Sequence, residues 1–236
     1  MNLTYTGLEL RRMMRDRKAL ILTIGMPLGL FLLYDSMWGS DSGATSTLMV
    51  MMAVFAVLAC TVSAGGRISQ ERHSGWTRQL RLSALRPGSY VVTKAMVAVV
   101  MAMLAASLVF AAGVLMHSST ALPELAEALA TLWAGSIPFA LLGILVGYTG
   151  SAATAQPLGM MVMLLNAFLG GVFVPIDQMP DAMAAAARWF PSYWLNQLAQ
   201  APFGASVDIA QGVLVLGAWT LGLAALVRWR HRVATG

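Results

Sequence analysis

Long apolar runs without charge alternate with short polar connectors along almost the whole chain. A helix needs roughly 20 apolar residues to cross the hydrocarbon core of a bilayer, and each run is about that long. A charge at the centre of such a helix costs about 2.5–3.5 kcal/mol on insertion scales, so uninterrupted runs locate the helices. The pattern predicts an all-α polytopic membrane protein with six transmembrane helices, at about residues 19–38, 45–66, 91–116, 128–148, 155–176 and 209–227.

Composition supports a membrane location. Of the 236 residues, 58% are hydrophobic and only 11% are charged, whereas a soluble domain carries about 25% charged residues. The first apolar run lacks the small-residue cleavage site of a secretory signal, so we expect it to be a retained span. A single cysteine, Cys60, excludes an intrachain disulfide, and its place in an apolar run predicts a buried side chain.

The charges divide by connector. Fourteen of the fifteen basic residues lie in the N-terminal segment, in and just after the connector between the second and third runs, or in the C-terminal tail. The positive-inside rule then places both termini in the cytoplasm, in a cytoplasmic membrane of bacterial type. Asp35 and Lys94 lie near the ends of their runs, and we expect both side chains to reach the membrane interface or water.

The predicted spans lack the chemistry of several membrane protein classes. Their centres contain no acidic, basic or histidine residue, which disfavours an ion-coupled carrier, although neutral oxygens can also bind sodium. An intramembrane protease would need paired aspartates, a metal motif or a Ser/His dyad. No GxxxxGK[ST] loop occurs, so the chain has no nucleotide site of that kind. We therefore predict no catalytic residue, cofactor or metal in this chain, and no enzyme activity of its own.

A few interior residues are candidates for contact with a substrate. Asn166 is the most polar side chain of the spans. It fits either an interhelical hydrogen bond, worth about 0.6–2 kcal/mol, or a polar contact in a substrate path. The methionine-rich interior is adaptable, although most such residues serve packing or lipid contact. We single out Asn166, Met52, Phe55 and Met163 as candidates for a substrate path or a seam between two copies.

The connector after the second run is unusually basic, with five arginines in residues 67–90. Its pattern predicts a two-faced helix from about Ser69 to Leu82, which Pro87 and Gly88 end. One explanation is an anchor on anionic lipid headgroups. The other is a docking helix with a partner on one face and the bundle on the other, which also accounts for the acidic, glycine and tryptophan residues within the run.

Two motifs in this chain resemble ABC-2 type transporter permeases, the membrane subunits of a class of ATP-binding-cassette exporters. The stretch ISQERHSGWTRQLRLSALRPGSYVVTKAM contains the E-R-x-x-G pattern as Glu71, Arg72 and Gly75, while Trp76 and Arg78 replace the usual small or Thr residue and the usual Glu. The stretch LGGVFVPIDQMPDAMAAAARWFPSYWLNQL is similar to the family's G-x-F-x-P pattern and its following helical segment.

The resemblance implies a site and a domain plan. Residues 1–236 would form one ABC-2 transmembrane domain, with an interfacial helix at 1–18, a cytoplasmic coupling segment at 67–90 and a re-entrant outer hairpin at 177–200. The coupling residues implied are Glu71, Arg72, Gly75, Trp76, Arg78, Leu80 and Arg81. The outer hairpin would include Pro175, Pro180, Trp189, Pro191 and Tyr193.

The resemblance also implies partners. Two ATPase subunits would bind ATP and Mg, and a second permease copy or paralogue would complete the complex in the lipid bilayer, without nucleic acid. We expect export of a hydrophobic or amphipathic small molecule, as in drug efflux or multidrug and antibiotic resistance. The alternatives are export of a lipid-linked glycan or antimicrobial peptide, a non-transporting anchoring or assembly subunit, or an ion-coupled carrier.

Overall fold

The computed structural model describes residues 3–38, 42–75, 87–116, 121–151 and 153–235, and all regular structure within these ranges is helical. The all-α prediction is therefore confirmed for the described part of the chain. The α-helices of these ranges are α1 (Leu3–Arg15), α2 (Arg17–Leu20), α3 (Met26–Trp38), α4 (Ser42–His73), α5 (Pro87–Met116), α6 (Leu122–Gly135), α7 (Ile137–Thr149), α8 (Ala155–Leu169), α9 (Asp181–Ala187), α10 (Pro191–Gln200) and α11 (Ile209–Thr235). A π-helical turn (Ile21–Gly25) joins α2 to α3, and 3-10 turns occupy Ile176–Gln178 and Ala201–Phe203.

Helix α4 is the centre of the bundle. It packs against α3, α5, α7, α8 and α10, and its side chains from Met49 to Leu58 are all buried. Helix α11 lies at the periphery, where it contacts α7 and α10 and leaves most of its surface open. Helix α4 contains no charged residue from Ser42 to Gly66. A helix that is apolar on every side can occupy the core of a bundle, which agrees with the central position of this stretch.

Five helical segments of the described chain are long and apolar enough to cross a membrane: Arg17–Trp38, Gly43–His73, Ser89–Met116, Leu122–Thr149 and Ile209–Arg230. Helix α8 is also apolar but has only 15 residues, which at 1.5 Å per residue is about 22 Å. The multi-pass membrane character predicted from the sequence is thus supported, while the count of six spans stays a prediction.

The predicted fifth span at 155–176 is longer than the helix found there. Helix α8 ends at Leu169, and the chain turns at Gly171, where φ is +72°. A Cβ at position 171 would also lie 2.9 Å from Ile176 Cγ1, so glycine is required for both the φ angle and the space. Hydropathy missed this end because the turn residues are themselves apolar.

The predicted fourth span at 128–148 begins earlier in the structure, at Leu122, and contains a break. Glu124 lies in the first turn of α6, where a carboxylate is favourable near the helix N-terminus. Ser136 separates α6 from α7, and Pro138 occupies the first turn of α7, where its missing N–H costs little.

Candidate functional site

Four charged side chains meet at the end of the bundle that carries the basic connectors. Lys94 Nζ, on α5, donates to the carboxylates of Glu9 on α1 and Glu71 on α4; the distance to Glu71 Oε1 is 2.7 Å. Tyr90 Oη donates to Glu71 Oε2 at 2.7 Å, and Arg12 Nη1 lies 3.4 Å from Glu71 Oε1. We call Glu9, Arg12, Glu71, Tyr90 and Lys94 the ion network.

The ion network is buried except for one cation. The side chains of Lys94, Glu9 and Glu71 are 5%, 8% and 8% exposed, whereas that of Arg12 is 66% exposed. Two carboxylates face one ammonium and one guanidinium, so the formal charges balance. Such a buried group holds its geometry only while every charge keeps its partner, since an unpaired buried charge is costly.

The structure corrects the prediction that Lys94 and Asp35 reach the interface. Lys94 and Asp35 are each only 4% exposed. Lys94 finds two carboxylates inside the protein, and Asp35 Oδ1 accepts a hydrogen bond from Thr45 Oγ1 at 2.8 Å. A charged group with partners inside the bundle does not need to extend toward water.

Arg72 lies next to Glu71 but bonds in another direction. Its Nη1 donates to the carbonyls of Gly147 at 3.1 Å and Tyr148 at 2.7 Å, and its guanidinium lies 5.1 Å from the Tyr148 ring centroid. The last carbonyls of a helix have no partner within the helix, so Arg72 caps α7. Ser69 Oγ adds a hydrogen bond to Gly150 O at 3.2 Å.

The E-R-x-x-G motif therefore ties the end of α4 to its neighbours. Glu71 bonds toward α1 and α5, and Arg72 bonds toward α7. Gly75 follows α4 with φ at +75°, the left-handed region that favours glycine. Among the remaining predicted coupling residues, Trp76, Arg78, Leu80 and Arg81 lie outside the described residues. The contact of this motif with a partner stays a prediction.

A cavity opens beside the ion network. Its volume is about 470 Å³, and it is lined by Tyr5, Leu8, Glu9, Arg12, Glu71 and Ser74. Leu8 is 61% exposed at its edge. Residues of the N-terminal helix and of the end of α4 therefore line the same cavity.

The interior candidates lie inside the chain rather than on its surface. Met52 and Phe55 are 0% and 1% exposed, and the Phe55 ring packs against Phe173 with centroids 5.3 Å apart. Met163 is partly buried against the same core. Asn166 is 4% exposed, and its Nδ2 donates to Val162 O of its own helix at 2.9 Å. The predicted interhelical bond of Asn166 is thus not among the described contacts.

The predicted outer hairpin contains two short helices, α9 and α10. Prolines begin its elements: Pro175 precedes a 3-10 turn, Pro180 precedes α9, and Pro191 is the first residue of α10. Trp189 is 78% exposed. The Tyr193 ring meets the neighbouring Trp194 ring edge-on at 5.0 Å.

Two indole N–H groups donate hydrogen bonds to the turn between α9 and α10. Trp194 Nε1 donates to Arg188 O at 2.7 Å, and Trp219 Nε1 of α11 donates to Trp189 O at 2.9 Å. Both carbonyls follow directly after α9. Nothing in the spacing of Trp194 and Trp219 along the sequence indicates these two hydrogen bonds.

Four residues of the ion network were not predicted as site residues: Glu9, Arg12, Tyr90 and Lys94. A signal was present, because Glu9 and Lys94 carry opposite charges on segments that flank the connector containing Glu71. Within the described ranges, no three His, Cys, Asp or Glu side chains cluster as metal ligands do.

The sequence of this chain matches a known protein family over most of its length. The sequence profile of the ABC-2 type transporter family matches residues 3–203. The chain belongs to the ABC-2 type transporter family. The match begins with α1 and extends through the ion network, the α4–α7 contact and the outer hairpin, which confirms the resemblance drawn from the two motifs.

A curated relative of this ABC-2 chain comes from Bacillus subtilis (strain 168). It is described as "Putative transport permease YvfS" and is 28% identical over 192 residues. The aligned region covers 78% of this chain and 78% of the relative. The similarity therefore extends over most of both proteins.

Proposed function

We propose that this chain is the permease subunit of an ATP-binding-cassette exporter, driven by ATP hydrolysis in separate ATPase subunits. The family match over residues 3–203 carries the proposal. The described part of the chain supports it with a buried ion network at the basic end, where three helices are joined by charges. Six crossings with cytoplasmic termini in the cytoplasmic membrane complete the proposed arrangement.

The ATPase subunits would bind at the face that contains the cavity. Leu8 and Arg11 are exposed on α1, and Ser74 is exposed just after α4. Glu71 and Arg72 act indirectly in this proposal, because their side chains are engaged within the chain. A force on the end of α4 would reach α1 and α5 through Glu71 and reach α7 through Arg72. The motif would therefore transmit movement, while exposed neighbours contact the partner.

The substrate would be a hydrophobic or amphipathic small molecule, such as a drug, an antibiotic or a lipid-like compound. The described interior supports this class, since its largest buried side chains are apolar, among them Phe31, Phe55, Phe139 and Met52. Export of a lipid-linked glycan or an antimicrobial peptide would require the same complex with a different substrate path across the membrane. A non-transporting anchoring subunit would require no substrate path.

The function is tested by reconstituting the full chain with its ATPase in proteoliposomes. We expect ATP-dependent export of an amphipathic dye that a protonophore does not abolish. Leu8→Asp should reduce ATPase co-purification and export at least tenfold, because it places a charge on the exposed apolar edge of the cavity. Export that needs a proton gradient but no ATP would overturn the proposal in favour of an ion-coupled carrier.

The matched control is Leu122→Asp. Leu122 is 78% exposed and begins α6, at the opposite end of the bundle from the α7 terminus that Arg72 caps. Its substitution should leave co-purification and export within twofold of the unchanged chain. Equal losses in both variants would show that a charge anywhere on the surface is harmful, and that Leu8 does not mark the docking face.

A second copy of the chain would pack on α8. One side of this helix is exposed and apolar: Met160, Met161, Leu164, Leu165 and Phe168. At about 22 Å, α8 is shorter than the roughly 30 Å hydrocarbon core, so a protein partner covers it with less mismatch than lipid does. Met52 and Phe55 on α4 are excluded from such a seam unless the bundle unpacks, because both are buried within one chain.

Disulfide cross-linking tests this seam. In a Cys60→Ala background, Met161→Cys is expected to give a covalent dimer in membranes after mild oxidation, because Met161 is 63% exposed on the proposed seam. Leu214→Cys, at an equally open position of α11 with 72% exposure, serves as the control. Dimers formed by Leu214→Cys alone would place the seam on α11 instead.

A further inference from the structure

Arg67 is a partly buried arginine that the proposed transport mechanism does not use. It lies on α4, one turn before the E-R-x-x-G motif, and its Nη2 donates to Ser63 Oγ at 3.5 Å. The carboxylates of Glu9, Asp16 and Glu71 are near enough to act on it electrostatically. None of the described ion pairs includes Arg67. Most donors of this guanidinium therefore have no acceptor in the described part of the chain.

The register between the first span and α4 places other cations at the level of Arg67. Cys60 Sγ contacts Thr23 O at 3.9 Å, which aligns the two antiparallel segments. Arg67 lies seven residues after Cys60, and Asp16 lies seven residues before Thr23. Both are therefore displaced toward the basic end by about 10 Å along a helix. The electrostatic contact between Arg67 and Asp16 agrees with this alignment. Arg17 and Lys18 follow Asp16 directly, within about one turn of the same level.

Arg17 and Lys18 lie next to an exposed apolar surface. Both are exposed, and one turn further along the predicted span Ile21 and Leu22 are 68% and 69% exposed. Side chains four residues apart share a helix face, so the two cations look outward beside two apolar side chains. Neither cation forms an ion pair among the described residues. In the membrane arrangement of the proposed function, cations directly below these apolar side chains would lie at the depth of the headgroups.

We propose that Arg67, Ser63, Arg17 and Lys18 bind the headgroup of an anionic phospholipid of the cytoplasmic leaflet, at the surface where the start of α2 approaches α4. The planar fork of arginine matches a phosphate, and basic pockets between transmembrane helices on the cytoplasmic side favour such headgroups. Asp16 also lies near this surface, but its Oδ1 accepts from Ala19 N as the cap of α2. Glu9 and Glu71 are paired with Lys94 and Arg12. Arg67, Arg17 and Lys18 against Asp16 therefore leave this surface with a net positive charge. The site is independent of the ATPase and of transport.

The test measures binding of phosphatidylglycerol to the purified full chain in phosphatidylcholine nanodiscs. Each removed charge near the headgroups should weaken binding about fivefold. We expect this loss for Lys18→Gln. A larger, roughly tenfold loss is expected for Arg67→Gln, which also removes the planar set of guanidinium N–H donors. Arg228→Gln, an exposed arginine on peripheral α11, should bind within twofold of the unchanged chain. Lys18 is exposed, so its variant keeps the test valid if Arg67→Gln unfolds.

Three outcomes would overturn the site. Equal binding of phosphatidylglycerol and phosphatidylcholine would show that this surface does not recognise the anionic headgroup. Displacement of the lipid by soluble glycerol phosphate would indicate a site for a free phosphate. Unchanged lipid binding in Lys18→Gln, together with lost ATPase co-purification, would make this surface a protein-docking site.

Discussion

Lys94→Met is expected to lower the free energy of unfolding by about 3–5 kcal/mol, the cost of leaving buried charges without their partner. Removal of the ammonium leaves Glu9 and Glu71 facing each other, each with only 8% of its side chain exposed. Arg12 cannot replace the ammonium, since it reaches only one Glu71 oxygen, at 3.4 Å, from a mostly exposed position. Denaturant unfolding of the purified chain in detergent measures the change.

A matched pair of variants separates the ion network from charge loss in general. Lys18→Met removes an exposed lysine that has no described ion pair, and its free energy of unfolding should change by less than about 0.5 kcal/mol. The triple variant Glu9→Gln, Glu71→Gln and Lys94→Met should recover more than half of the stability lost in Lys94→Met. Equal free energies of unfolding for Lys94→Met and Lys18→Met would show that the buried network contributes nothing to stability.

Gly143→Ala is expected to destabilise the chain by about 3 kcal/mol, at the upper end of the cost of overpacking. A Cβ on Gly143 would lie 2.2 Å from Thr61 O of α4, and one on Gly65 would lie 2.3 Å from Gly143 O. These neighbours are backbone atoms, which cannot rotate away as a side chain can. Helices α4 and α7 would have to separate along the length of their contact, and thermal unfolding would report the loss.

Gly222→Ala in α11 is the control for this substitution. No atom lies within 4 Å of a Cβ built at Gly222, and alanine is a better helix former than glycine by about 0.5–1 kcal/mol. Gly222→Ala should therefore keep or raise the melting temperature. A melting temperature for Gly143→Ala equal to that of Gly222→Ala would contradict the close backbone contact.

Helix α4 is attached to its neighbours in two different ways. The ion network joins its end to α1 and α5, while the Gly65–Gly143–Gly147 contact and the Arg72 cap join it to α7. If ATPase subunits move the end of α4, the two attachments would make α4 and α7 move as one unit. Measuring export and ATP hydrolysis separately in Arg72→Lys, which keeps the charge but loses the fork, would show whether the cap carries that movement.

Much of the architecture follows from local chemistry in the sequence. Apolar runs cannot stay in water, so their lengths located the long helices. The boundaries were less accurate: the predicted fourth span starts at residue 128, six residues after the observed start at Leu122. The E-R-x-x-G motif led to the family because motif recognition needs only residue types and spacing. The end of α8 could not be read this way, because Gly170, Gly171 and Val172 carry no polar or charged side chain to interrupt the apolar run.

The direction in which each side chain points was beyond the sequence. Glu71 was expected to face a partner, yet it bonds to residues 59 and 23 positions away, Arg12 and Lys94. Hydropathy assigns Lys94 a free-energy cost for leaving water. The actual cost depends on whether the ammonium finds a carboxylate inside the bundle, and this depends on how the helices pack. Similarly, no periodicity shows that Arg67 lacks an ion pair while Arg72 caps a helix.

The sequence by itself determined a helical membrane protein of the ABC-2 family, because hydrophobic length and short motifs are properties of neighbouring residues. The tertiary structure alone decided which charges are buried together, which helix is central and which apolar face stays open. The physical reason is that burial and ion pairing depend on contacts between distant segments, and those contacts exist only once the helices have packed.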